Sequence, residues 1–302
     1  MSTLNQADLD RVAGMSSRDA AEALGVGKST VNKYREIARM NGGSLPGALS
    51  YDKPSGDGDS PNVLFLDIET RPAVVVTFNL WKPILGPQNI LEHPDILCFT
   101  YNWEGREVHF VGQDEYSYED QLFILRELLD LADIVVHYNG KTFDIPWIEG
   151  ELNVAGFTPP SPFQQIDLYR RMKQRSNFIN NRMEYMITRL LDDHKVSHSG
   201  MSMWLGCMAN DPDAWAQMRK YAIQDTSVLE PFYKRVRGWL LGHPNRAAWG
   251  DTLKCPRCES DSIQKRGTTP GHIKYQRYQC NDCGGWFSDG NRVASGARAR
   301  TL

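Results

Sequence analysis

Val63 to Leu66 is an unbroken apolar run that stops at Asp67-Ile68-Glu69. A short run of this kind, bounded by polar residues, predicts a strand covered on both faces. Side chains two residues apart leave a strand on the same side, so Asp67 and Glu69 face one space. Arg71 to Asp95 shows no period and holds several prolines, after which Ile96 to Trp103 and Glu107 to Gly112 predict strands around a turn at Glu104-Gly105-Arg106. Between Tyr118 and Leu131 the apolar positions Leu122, Leu125, Leu128 and Leu129 recur at helical spacing, and Asp133 to His137 returns to a buried strand. Further helices are predicted from about Met183 to Leu191 and from about Asp213 to Leu240. This alternation predicts an α/β domain over residues 62–240.

The flanks have other patterns. Within residues 1–40, Ser17 to Arg39 holds two helical patterns joined by a tight turn at Gly25-Val26-Gly27, with Ala21, Gly25 and Val31 placed to pack and turn. This resembles a helix-turn-helix module, whose second helix enters the major groove of DNA. That helix starts at Lys28 and is expected to expose Ser29, Thr30, Asn32, Lys33 and Arg35 to phosphates and base edges. A helical hairpin used for packing or protein contact is the alternative. Gly27-Lys28-Ser29 is not a phosphate loop, because Glu22 stands where that loop needs glycine and a helix precedes it. Residues 41–61, rich in Gly, Ser, Pro and Asp, predict a flexible linker.

Composition narrows the chemistry. A chain of 302 residues accommodates one sizeable core plus smaller modules. The net charge of −3 gives no global case for nucleic acid, so any such case is local. No apolar run approaches the ~18 to 20 residues of a membrane span, and we expect a cytoplasmic protein. Four of the six cysteines form two C-x-x-C pairs, Cys255/Cys258 and Cys280/Cys283. In a reducing compartment this spacing predicts a zinc ribbon over residues 250–290, with one structural Zn²⁺ held by four thiolates. Lys254, Arg257, Lys265, Arg266, Lys274 and Arg277, interleaved with Tyr275, Tyr278 and Trp286, suit nucleic acid, the alternative being a stabilising or protein-binding tail. The ribbon and the α/β domain are expected to fold independently, and residues 291–302 are expected to form a disordered tail.

Three segments carry the candidate catalysis. Asp67 and Glu69 read equally as a divalent-cation site or as a strand end in solvent. Tyr138-Asn139-Gly140, followed by Phe143-Asp144, sets a carboxylate at a helix start after a strand and a turn. Tyr221 and Asp225 share a helix face. Alone, the last two are an ordinary capping Asp and an ordinary surface pair.

Together, in order and spacing, the three resemble the exonuclease motifs of the DnaQ-like DEDD superfamily, in the variant with Tyr in the last motif. The proofreading domains of family B DNA polymerases look most similar, and Gln165-Ile166-Asp167-Leu168-Tyr169 is similar to a segment those domains also carry. The resemblance spans about residues 62–238 with no polymerase domain after it, which suggests a free-standing enzyme like the phage-encoded members. It implies an RNase H-like mixed sheet flanked by helices, and two Mg²⁺ or Mn²⁺ held by Asp67, Glu69, Asp144 and Asp225. It also implies a Tyr221 that orients water, and Asn139 and Phe143 in contact with terminal nucleotides, although Phe143 reads equally well as core.

The expected activity is 3′–5′ exonucleolytic hydrolysis of DNA, on single strands or 3′ ends. An exoribonuclease, a structure-specific nuclease and a non-catalytic DNA-binding regulator or recombination accessory protein are the alternatives. Asp167 reads as a capping or hydrogen-bonding residue, and Cys98 and Cys207 as buried thiols. His137, His194 and His198 lack metal spacing. Arg170, Arg171, Lys173 and Arg175 suit either a phosphate track or a solvated helix face.

Overall fold

The computed structural model describes residue 4 and residues 6–40, 52–54, 58–192, 200–270 and 273–293. Most of the expected linker, His194 and His198, and positions 294–302 of the expected tail lie outside the described residues. Three helices open the chain, α1 (Gln6–Arg11), α2 (Ser17–Leu24) and α3 (Lys28–Met40). Ser16 caps α2 by accepting from the Asp19 amide, and Gly25 ends it at φ +64°, a left-handed conformation that glycine adopts without cost. Ala20, Ala21, Val31 and Tyr34 close a small core of their own.

The main domain follows. Its elements in chain order are β1 (Val63–Thr70), the short pair β2 (Val74–Val75) and β3 (Ile90–Glu92), β4 (Ile96–Trp103), β5 (His109–Gly112), α4 (Tyr118–Leu131), β6 (Ile134–His137), α5 (Asp144–Val154), β7 (Gln164–Asp167), α6 (Leu168–Arg175), α7 (Met183–Leu191), α8 (Met201–Met208), α9 (Pro212–Ser227) and α10 (Leu229–Val236). The spatial order is β5-β4-β1-β6-β7. β1 pairs antiparallel with β4 and parallel with β6, and β6 pairs parallel with β7, so the sheet is mixed.

The two-residue alternation of β1 sorts the core. Leu64, Leu66 and Ile68 pack with Leu122, Leu125 and Ile148 of α4 and α5. Val63 and Phe65 pack on the other face with Met172, Met186 and Phe232. Each fully buried side chain of this size contributes about 1.5–3 kcal/mol. Asp67 and Glu69 continue the Val63/Phe65 series, so they emerge on that second face.

The helix expected from Asp213 to Leu240 is two helices. Asp211 caps α9 and Pro212 starts it, but Pro231 has no N–H to return to Ser227, and the chain restarts as α10 at Leu229. Beyond it, β8 (Ile263–Thr268), β9 (Tyr275–Cys280) and β10 (Trp286–Arg292) form a second sheet in the order β10-β9-β8. β10 carries Asn291 and Arg292, which the expected tail had included.

This ribbon rests on the main domain. Arg246, almost wholly buried, donates to both carboxylate oxygens of Glu104 in the β4–β5 turn and from Nε to Glu259 between the first cysteine pair and β8. Arg257 donates to the Leu240 carbonyl, and Tyr233 from the core of the main sheet stacks on His243. None of the described helices is long and apolar enough to cross a membrane.

Candidate active site

Asp67, Glu69 and Asp225 each offer a carboxylate oxygen within 4.8 Å of the others. The first two meet by strand parity. Asp225 arrives on α9, which is fastened to β4 by a buried threonine: Thr100 Oγ1 donates to the Ala222 carbonyl at 3.1 Å and lies 2.7 Å from Thr226 Oγ1. Thr100 is the register partner of Asp67, so this fastening holds the helix turn around Asp225 beside the strand that carries Asp67. Three carboxylates this close repel one another unless cations share their oxygens, and hard divalent cations prefer such ligands. The donor set fits Mg²⁺ or Mn²⁺.

Tyr221 lies one helical turn before Asp225 and is hydrogen-bonded to it. Burial, then the charges of Glu69, Asp225 and Asp67, push its hydroxyl far above the ordinary tyrosine range, so it is a neutral donor at physiological pH. Trp204 of α8 packs its ring against Tyr221 at 6.2 Å between ring centres.

Asp144 does not join the three. Its Oδ1 accepts from the Ile68 amide at 3.0 Å, so it reaches the strand between Asp67 and Glu69 but spends one oxygen on backbone. Burial lifts its carboxyl from an ordinary value near 3.8 to about 7. The turn before it is tightly built. Asn139 takes φ +69°, and a Cβ on Gly140 would meet the His137 ring and, at 2.9 Å, Asp144 Oδ2. Asp167 accepts from the Asn139 and Arg170 amides, both at 3.1 Å, fixing the turn and capping α6 as expected of it.

A native carboxyl titrating above its unfolded value binds its proton more tightly in the folded state, so stability falls as pH rises from about 4 through 7. In buffer free of divalent cations, the melting temperature of the wild type is expected to drop across pH 5–7.5 relative to Asp144→Asn. Parallel curves for the two proteins would remove Asp144 from this role.

Among the other predicted residues, Asn139 and Phe143 are solvent-exposed, and Phe143 touches Trp147 edge-on. Phe143 is therefore not core. In α3, Lys28 and Asn32 are exposed and Thr30 is half-buried, while the side chains of Ser29 and Lys33 lie outside what is described. Arg35 corrects the expectation of an exposed contact: its guanidinium donates to the Val12 carbonyl at 2.8 Å and to Ser17 Oγ at 3.4 Å, bracing the three helices. Cys98 and Cys207 are buried thiols, both made less acidic by burial.

The four ribbon cysteines converge, one Sγ from each lying within 4.8 Å of the rest. Cys255–Cys283 and Cys258–Cys280 sulfurs are 3.6 Å apart. A disulfide needs ~2.05 Å, whereas thiolates at ~2.3 Å from a tetrahedral Zn²⁺ stand ~3.8 Å apart, so the set fits a closed structural zinc site.

Sequence reasoning missed Thr100, a buried polar residue with no motif around it. The signal available was a lone threonine in the otherwise apolar Ile96–Tyr101 stretch of a doubly covered strand.

Residues 91–237 match the family model described as the RNase_H superfamily. The main domain is accordingly RNase H-like, which suggests a nuclease and a nucleic-acid substrate. The match begins after β1, so Asp67 and Glu69 are joined to it through the pairing of β1 with β4 and β6. No curated protein matches the chain.

Proposed function

We propose that this chain is a metal-dependent 3′–5′ exonuclease that hydrolyses terminal phosphodiester bonds of DNA. The observation that carries the reading is the convergence of Asp67, Glu69 and Asp225 beside a neutral Tyr221 in an RNase H-like domain. Asp67, Glu69 and Asp225 would hold one Mg²⁺ or Mn²⁺ directly, and Asp144 would complete a second position with its remaining oxygen. Bound there, the cations supply charge that acidifies water and offsets the negative charge developing on the phosphoryl oxygens.

The chain's own groups do the positioning. The Tyr221 hydroxyl, protonated and tethered to Asp225, offers an oxygen that accepts from a water and fixes its approach to phosphorus. The water oxygen bonds to phosphorus as the bond to the 3′ oxygen breaks, releasing a nucleoside 5′-monophosphate and a 3′ hydroxyl. Phe143 and Asn139, exposed on either side of the Gly140 turn, would contact terminal nucleotides, an aromatic face accepting any unpaired base.

The flanking units are proposed as handles. In the domain over residues 1–40, Lys28, Thr30 and Asn32 would approach DNA, with Arg35 holding the helices together. In the ribbon over residues 250–290, Arg277 lies 4.8 Å over the exposed Trp286 ring, a basic-aromatic pair suited to nucleic acid.

The reading is tested by incubating 5′-labelled and 3′-labelled single-stranded DNA, duplex DNA and RNA with the full chain in Mg²⁺, Mn²⁺ or no divalent ion. A ladder shortening from the 3′ end, dependent on the added ion and stronger on DNA, supports it. Stronger cleavage of RNA would make the chain an exoribonuclease, internal cuts a structure-specific nuclease, and binding without cleavage a regulator.

A further inference from the structure

Beside the Gly140 turn lies a cleft of about 570 Å³, lined by Tyr138, Asn139, Tyr169, Asn181 and Arg182 among others, of which the catalytic scheme uses Asn139 alone. Clefts of this size commonly bind small molecules or one unit of a polymer. Its walls are fixed. The Tyr138 hydroxyl donates to the Asn181 carbonyl at 2.6 Å, joining the strand end after β6 to the segment before α7. Tyr138 and Tyr169 meet edge to face at 5.9 Å, and the Lys173 ammonium lies 5.7 Å from the Tyr169 ring centre.

Two features say what the cleft takes. Asn181 Oδ1 is buried without a hydrogen-bond partner, so its amide loses nothing by turning onto a ligand with polar edges. Tyr169 presents a half-buried ring with positive charge beside it, from Lys173 and from the exposed Arg182. A planar heterocycle with hydrogen-bonding edges, attached to a phosphate, satisfies all of these groups at once. An apolar ligand would leave the Asn181 amide oxygen without a partner.

Position adds the last step. Asn139 lines the cleft and belongs to the turn that leads into Asp144, which accepts from the Ile68 amide between Asp67 and Glu69, so one short piece of chain joins the cleft to the catalytic strand. Accepting the nuclease reading, we propose that the cleft holds one unpaired nucleobase of the substrate strand, close to the bond that is cut. Tyr169 is the stacking platform, the Asn181 amide meets the base edge, and Arg182 and Lys173 flank the phosphate.

The test uses the full chain carrying Asp67→Ala, which binds without cutting, in Mg²⁺ buffer with a fluorescent single-stranded oligodeoxynucleotide. An abasic residue is placed in turn at each of the last few 3′ positions. Removing the base that occupies the cleft is expected to weaken binding roughly 5- to 150-fold at one position only. Adding Tyr169→Ala should weaken the intact oligonucleotide by a similar factor and abolish the penalty at that same position, because the two losses are one interaction. Tyr169→Phe should restore both, and Asn181→Ala should reduce the penalty in part.

Unchanged abasic penalties in Tyr169→Ala and Asn181→Ala, with the oligonucleotide still bound and the parent enzyme still cutting, overturn the cleft assignment and leave the nuclease reading standing. Failure of the parent chain both to bind and to cut nucleic acid overturns the two together.

Discussion

Asp67→Ala is expected to lower cleavage by roughly a thousandfold or more while leaving the protein folded, and Asp225→Asn to do the same. Both residues stand in a group of three carboxylates whose oxygens lie within 4.8 Å of one another. Removing one charge from such a group relieves repulsion, so the melting temperature in metal-free buffer should stay level or rise. What is lost is affinity for the cation, and the stabilisation that added Mg²⁺ or Mn²⁺ gives the wild type should shrink with it. Tyr221→Phe separates positioning from ligation. It removes a hydroxyl but no charge, so its rate should fall about 10- to 1000-fold while its response to added metal in the melt stays that of the wild type. Near-normal turnover by Asp67→Ala, measured at saturating Mg²⁺, would sink the assignment of the site.

How much of this site is legible in the chain follows from where each contact arises. Strand parity needs only neighbours two residues apart, so the shared face of Asp67 and Glu69 is visible in the letters, and so is the shared helix face of Tyr221 and Asp225. What local spacing cannot show is the distance between a strand and a helix about 155 positions later. That depends on Thr100 bonding to Ala222 and Thr226, a contact with no periodic signature. The separate place of Asp144 is of the same kind. Its motif position resembles a ligand, yet the Ile68 amide claims one of its oxygens through the sheet pairing.

Elements were legible in proportion to their burial. The fully covered β4 and the leucine stripe of α4 are plain in the sequence. The edge strand β7, with Gln164 exposed and Gln165 half-exposed, and the helix α6, which buries only Leu168 and Met172, carry too little apolar signal. Arg35 departs from the expected exposure for a reason that is also physical. Arginine is usually solvated, but here the end of α1 and the start of α2 present a carbonyl and a hydroxyl at the reach of its fork. The ribbon shows the opposite case. Its cysteine spacing encodes the metal geometry almost completely, while its docking depends on Arg246, which lies between the two units and belongs to no motif.

That docking changes what loss of zinc should do. Cys283→Ser breaks a four-thiolate site that contributes folding free energy directly, so the ribbon from about Thr252 onward is expected to unfold and its zinc content to fall below one per chain. The damage should not stop there. Unfolding the ribbon takes Glu259 from Arg246, a buried cation that then keeps Glu104 as its carboxylate partner, and takes the Arg257 carbonyl from the Tyr233 hydroxyl. Tyr233 in turn packs against Phe65 on β1, the strand that ends in Asp67 and Glu69. Breaking a buried charge network of this kind costs up to about 3–5 kcal/mol, so the main domain should melt well below its wild-type temperature and cleavage should decline with it. Gly238→Ala isolates the docking from the metal. A Cβ there would drive into the backbone carbonyl of Cys283, which cannot move aside as a flexible side chain does. This variant should keep one zinc per chain yet lose about 1–3 kcal/mol of stability. Zinc content by elemental analysis and melts of all three proteins decide the matter. A Cys283→Ser protein without zinc whose main domain melts like the wild type would return the ribbon to an independent module, and a Gly238→Ala protein of unchanged stability would deny the contact itself.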